Sequence, residues 1–235
     1  MKPLTTTTMM SGNSKPAFTL VEMMVTLVIF GIVGAGLCVF TVESSKSIFW
    51  STEKSKITSK FREFTSKIAN DALNGSHAFM YRSYNVEDLN QLSDRLGWND
   101  SGDCLVFVST QPPSDDINGQ RYYDRIVVYY SEPEDAPRPV FRRVITIDAA
   151  TISADTSIEK FFSQLHNNDY QDLLNNQQIL MGQPEVVIEL ARGLSNNSIF
   201  RKVTDDAFMV NAEIVYGNET KRVFNSYNFT VSTRG

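Results

Sequence analysis

From Met23 to Val42 the chain reads MMVTLVIFGIVGAGLCVFTV, twenty residues whose single ionisable side chain is Cys38. At a helical rise of 1.5 Å per residue such a segment spans about 30 Å, the thickness of a bilayer's hydrocarbon core. Soluble domains rarely bury a helix that is apolar all round, so the pattern predicts a membrane span. After Glu43 the apolar positions thin to a stripe. Trp50, Ile57, Phe61, Phe64 and Ile68 recur at helical spacing among Lys54, Lys56, Lys60, Arg62, Glu63 and Lys67. That pattern predicts an amphipathic continuation of the same helix, buried through the stripe and capped at Asn74-Gly75.

Further on, the period changes. Cys104–Thr110, Tyr122–Ser131 and Val140–Ile147 are β-branched and aromatic runs bounded by turn residues, and each predicts a strand. Pro184–Ala191, Ala207–Tyr216 and Thr220–Ser232 predict three more, with Gly217-Asn218 turning between the last two. Ser157–Leu165 and Tyr170–Met181 read as helices. The segment from Glu132-Pro133 to Pro139 holds three prolines and reads as a loop outside any central strand. Residues 76–103 and 148–156 read as long loops. Together these elements predict an α+β fold, with a long N-terminal helix packed on one face of an antiparallel sheet.

Composition suits one globular domain behind an anchor: 42% of the 235 residues are hydrophobic and 21% charged. The chain divides into a leader at 1–17, a transmembrane and assembly helix segment at 18–42, its amphipathic continuation at 43–75, and an extracytoplasmic domain at 76–235. Lys2 and Lys15 keep the leader on the cytoplasmic side, with Glu43 onward outside. Loss of the leader would move the formal charge from −5 to −7. A mildly acidic surface without a cluster of Lys and Arg argues against nonspecific nucleic-acid binding, and no nucleic-acid partner is expected.

The junction between leader and apolar run is Lys15-Pro16-Ala17-Phe18-Thr19-Leu20-Val21-Glu22. A secretory signal is cut after its apolar region. Here the small residue stands before it, so cleavage after Ala17 would leave the apolar segment on the mature chain, beginning at Phe18. This resembles the processing site of type IV pilins and type II secretion pseudopilins, with Ala17 where that family has Gly. The strand Tyr-Tyr…Val-Val-Tyr-Tyr, followed by a loop and Phe141-Arg142-Arg143, is similar to paired strands of J-type minor pseudopilins. The resemblance implies a pilin-like structural subunit of a pilus or pseudopilus, processed at Ala17 and Phe18 by prepilin peptidase/N-methyltransferase. It also implies the partners: other pilin-like subunits, an inner-membrane assembly platform and membrane lipid, from a single-pass position in the bacterial inner membrane. Glu22 then neutralises the methylated amine of Phe18 in a neighbouring subunit and sets filament register.

Glu22 needs such a role on energetic grounds, because a carboxylate in a membrane helix costs about 2–3 kcal/mol unless it snorkels or finds a partner. A plain signal anchor has no use for it. Gly31, Gly34 and Gly36 do not form a GxxxG face, and read as local looseness in the helix. A domain bulkier than a compact head, about 150 residues beyond the helix, favours a minor subunit. The rival reading is a membrane-anchored adhesion module that forms no filament.

Chemistry of other kinds finds no purchase. His77 and His166 stand apart from other metal ligands, no phosphate-binding or nucleophile motif occurs, and no cofactor or enzymatic activity is expected. Cys38, in the span, and Cys104, outside it, are not placed to form an intramolecular bridge. Two oxygen-rich stretches, Asn99–Asp103 and Asp115–Gly119, could wrap a calcium ion, as loops of some relatives of the family do. Neither has EF-hand spacing or its closing Glu, and both read as turns.

Overall fold

The computed structural model describes residues 19–111, 121–132, 137–148, 151–194, 196–218 and 221–233. Helix α1 runs unbroken from Leu20 to Asn74, and its glycines at 31, 34 and 36 interrupt nothing. The chain forms two compact units, Met1–Phe49 and Trp50–Gly235. In the first, the apolar side chains of α1 are exposed around the helix, Leu27 at 70% and Phe30 at 75%. Among the described residues this is the one helix long and apolar enough to cross a membrane.

In the second unit the outer part of α1 lies on a ten-stranded antiparallel sheet. The strands are β1 (His77–Tyr81), β2 (Ser101–Gly102), β3 (Cys104–Gln111), β4 (Tyr122–Ser131) and β5 (Arg138–Ile147). They continue with β6 (Ile179–Met181), β7 (Glu185–Gly193), β8 (Phe200–Lys202), β9 (Ala207–Asn218) and β10 (Lys221–Ser232). Their order is β1-β3-β4-β5-β7-β9-β8-β2, with β10 added to β9 and β6 to β5. Helices α2 (Ile158–His166) and α3 (Gln171–Asn175) follow β5 in the chain.

Two cores separated by the sheet explain why β3 and β4 are apolar without alternation. Leu105, Phe107, Val127 and Tyr129 face α1, beside Ile57, Phe64, Ile68 and Ala72. Cys104, Val106, Ile126 and Val128 face the other way and meet Ile158, Phe161 and Phe162 of α2. A strand covered on both faces gains from apolar residues at every position. Strand β10 is covered on one face only, and there the alternation is plain: Val223, Tyr227, Phe229 and Val231 turn inward, while Phe224, Ser226, Asn228 and Thr230 are exposed.

The helical stripe packs largely as its spacing predicts. Ile57, Phe64 and Ile68 are fully buried, and Phe61 is partly buried, stacked 3.7 Å from the Tyr227 ring. Trp50 departs from the expectation, being 45% exposed. Periodicity assigns a residue to a face, but not how far along that face the sheet extends. Phe64 meets the rings of Tyr129 and Phe229 edge-on at 6.0 Å. Its replacement by alanine is expected to cost the folded domain about 3–5 kcal/mol, and Phe61→Ala less. Denaturant unfolding of the full chain in detergent checks this, and a loss for Phe64→Ala under about 1 kcal/mol would mean the site collapses without a cavity.

Four other expectations are corrected. Tyr170–Met181 is not one helix. Gln177 adopts a left-handed backbone (φ 58°), Gln178 N–H donates to Leu173 C=O at 2.8 Å and Gln177 N–H to Leu174 C=O at 3.1 Å. That Schellman arrangement stops α3 at Asn175 without the usual glycine and frees Ile179–Met181 to pair with β5. Residues 76–103 are not all loop, since they include β1, β2 and two short 3-10 turns. Pro139 lies inside β5, a central strand, but at a register irregularity against β7 and past the last pair with β4, where its missing N–H breaks no ladder. Finally, β9 passes through Gly217-Asn218, and Asn218 pairs with Lys221, so the reversal comes after those residues.

Candidate functional site

Ala17 and Phe18 lie outside the described residues. Glu22 is within them, at the start of α1. The Thr19 N–H and hydroxyl both donate to Glu22 Oε2 at 2.9 Å, and Glu22 N–H donates back to Thr19 Oγ1 at 3.3 Å. This is a capping box: Thr19 is the N-cap and Glu22 the third helical residue, so two otherwise orphaned backbone donors are satisfied reciprocally. The helix begins at Leu20 for that reason. Thr19-x-x-Glu22 ahead of an apolar run is the sequence signature of such a start, and the charge of Glu22 by itself does not reveal it. Both bonds donated by Thr19 go to Oε2, and no described residue donates to Oε1. A carboxylate held at the positive end of the helix dipole, with one oxygen unengaged, can accept a cation approaching from outside the subunit.

In the globular unit three buried carboxylates, Asp71, Asp103 and Glu159, are each held by an arginine. Asp71, in the last turn of α1, has a side chain only 1% exposed. Its Oδ2 accepts from Tyr129 Oη and from Arg142 Nε, both at 2.7 Å. Its Oδ1 accepts from Arg142 Nη2 at 3.0 Å and Arg125 Nη2 at 3.1 Å. Pleating brings these partners together. Arg125 and Tyr129 are four apart on β4, hence on one face, and Tyr129 stands directly opposite Arg142 of β5. The hydrogen bonds to Asp71 raise the Arg142 pKa, while burial and the Asp71 charge push the Tyr129 phenol up.

A second buried pair joins Asp103 to Arg138, whose Nη2 donates to Oδ2 at 2.6 Å, while Ile199 N–H donates to Oδ1 at 3.0 Å. Gly102, beside it in the chain, lets the Tyr81 backbone approach closely, since a Cβ there would fall 2.2 Å from the Tyr81 carbonyl oxygen. Burial raises the Asp103 carboxyl despite the arginine and the amide. A third group joins Glu159 of α2 to Tyr81 Oη at 2.5 Å and to Arg95 Nη2 at 3.0 Å. Burial opposes its ionisation, but the Arg95 and Tyr81 hydrogen bonds outweigh it and hold the carboxyl below the ordinary value of 4.5.

These commitments account for the oxygen-rich stretch at Asn99–Asp103. Asp103 is bound to Arg138, Asp100 Oδ2 accepts from Gly97 N–H at 2.8 Å, and Asn99, left-handed at φ 70°, accepts from Arg201. The stretch turns at Asn99 and then enters β2 at Ser101. Asp115–Gly119 lies outside the described residues. Among those described, no group of three His, Cys, Asp or Glu side chains is placed to hold a metal ion. His77 is exposed at the head of β1 and His166 exposed at the end of α2. Both cysteines are free thiols, Cys38 exposed on α1 and Cys104 buried, with burial raising the Cys104 thiol.

Residues 13–37 match the family model of the prokaryotic N-terminal methylation motif. The chain thus carries a prepilin-type N-terminus, and the match supports a type IV pilin or pseudopilin. It covers the leader junction, Glu22 and the first turns of the apolar helix, and the helix itself fits a single-pass inner-membrane anchor. The motif implies processing by prepilin peptidase and assembly with other pilin subunits. No curated protein and no solved structure matches the chain.

Proposed function

We propose that this protein is a minor pilin-like subunit of a type IV pilus or type II secretion pseudopilus. Prepilin peptidase cuts between Ala17 and Phe18 and methylates the new amine of Phe18. The mature subunit waits in the inner membrane with its globular unit on the periplasmic side, then enters a filament through α1. Glu22 pairs there with the Phe18 amine of a neighbour. The observation that carries the reading is the methylation motif set against a capped carboxylate at the head of an exposed apolar helix. Such a surface is covered by lipid before assembly and by neighbouring helices after it. The ten-stranded sheet and its added helices suit a subunit used in few copies rather than one packed along the whole filament.

Mass spectrometry of the membrane-bound protein tests the processing step. The expected mature terminus is N-methylated Phe18, and deletion of the peptidase should leave Met1 or the intact leader. Ala17→Gly should be processed at least as well as the parent, while Ala17→Trp accumulates precursor, because the small residue is what the cleavage pocket accepts. A terminus beyond Val42 would overturn the reading.

A further inference from the structure

Arg142 and Arg143 are neighbours on β5 and so point to opposite faces of the sheet. Arg142 meets Asp71. Arg143 meets Tyr84 and Tyr130 on the other side, whose rings stack 4.3 Å apart. Arg95, Arg125, Arg138 and Arg142, partly or wholly buried like Arg143, each pair with a carboxylate. Arg143 pairs with none among the described residues, and its Nε is buried without a hydrogen-bond partner. Desolvating a guanidinium without an anion is costly, which makes the position one that an anion would relieve.

The space beside it fits one. A cavity of about 450 Å³ opens between β5, α2 and α3, within the range of ligand sites, roughly 300–1,000 Å³. Phe162, Leu165, Leu174 and Met181 give it apolar walls, Arg143 and His166 line it as well, and among the described residues no carboxylate does. In a chain of net charge −5, a recess with a guanidinium and no acid selects for negative charge. Apolar walls around one charged donor select a ligand with both parts.

We infer that this cavity is a binding site for a carboxylate carried on an aromatic or aliphatic body, with Arg143 receiving the carboxylate and Phe162, Leu165 and Leu174 receiving the body. Two sources share that chemistry: a free carboxylic acid, and the C-terminal carboxylate of a polypeptide ending in an apolar residue.

The test uses the full chain in lipid nanodiscs, with empty nanodiscs as the control, and reads binding by saturation-transfer NMR and calorimetry. The probes are 3-phenylpropionate, its neutral amide, acetate, and Gly-Gly-Phe with a free or an amidated C-terminus. Each acid should bind saturably, and each amide about tenfold or more weaker, the loss expected when a charge-assisted hydrogen bond is removed. Acetate, lacking the body, should not bind measurably. Arg143→Gln should erase the preference for acid over amide, and Arg143→Lys should keep part of it. Leu174→Trp, which fills the cavity without touching the arginine, should abolish binding of every probe. Tighter binding of the tripeptide assigns the site to a polypeptide terminus, and tighter binding of phenylpropionate to a free acid. Equal affinity for acid and amide, no binding of either acid, or unchanged binding by Leu174→Trp would overturn the assignment.

Discussion

Replacing Asp71 by alanine is expected to destabilise the globular unit by about 3–5 kcal/mol, the cost of breaking a buried ion pair from one side. Asp71 stands in the last turn of α1, a turn with no basic residue. A negative charge there opposes the helix dipole, so the isolated helix gains nothing from it. What retains it is tertiary: one carboxylate, 1% exposed, accepts four hydrogen bonds from Arg125, Tyr129 and Arg142. Removal leaves the Arg142 guanidinium, whose side chain is 16% exposed, with only the half-exposed Glu185 carboxylate 3.7 Å away, while Arg125, at 33%, can turn to water. Asp71→Asn should therefore also destabilise, though less. Asp71→Ala combined with Arg142→Met should recover part of the loss, because the second change removes a buried charge that has lost its main partner. Unfolding of the full chain in detergent, followed by its aromatic signal, measures each variant. A single-variant loss within about 0.5 kcal/mol of zero would place Asp71 among ordinary surface positions and reject its role in holding α1 to the sheet.

Glu22→Gln is expected to insert in the membrane and lose its leader normally, yet to enter filaments poorly. The substitution separates two roles that the charge alone confounds. Glutamine can still close the capping box with Thr19, so the helix start should survive. What it lacks is the negative charge for a neighbour's Phe18 amine. Inside a filament, an amine left without that partner would be a desolvated charge worth several kcal/mol. Glu22→Ala loses cap and charge together. Comparing filament incorporation of the two variants with their membrane levels gives the answer. Poor incorporation by both supports pairing between subunits. Full incorporation by Glu22→Gln and failure by Glu22→Ala would reduce Glu22 to a local cap. Disulfide cross-linking between cysteines placed at 18 and 22 of separate chains, with Cys38 replaced, would report the contact itself.

Local pattern alone was enough for the apolar span, the stop at Asn74-Gly75 and the strand Tyr122–Ser131, because each depends on contiguous residues: length and polarity, a glycine cap, β-branched and aromatic runs. Thr19-x-x-Glu22 was equally local and equally legible. The end of α3 was not. A left-handed Gln177 where glycine is usual leaves no compositional mark, and Ile179–Met181 becomes a strand only because β5 offers it an edge. Trp50 shares the spacing of Ile57 and Phe64 and differs only in what lies opposite. The buried charges depend on tertiary structure most of all. Asp71 and Arg142 are 71 residues apart, Asp103 and Arg138 are 35 apart, and Arg95 and Glu159 are 64 apart. Nothing in the order of residues marks Arg142 as paired with a carboxylate and Arg143 as meeting none among the described residues. The pleat sends them to opposite faces, and only the folded sheet puts a carboxylate against one and an open cavity beside the other.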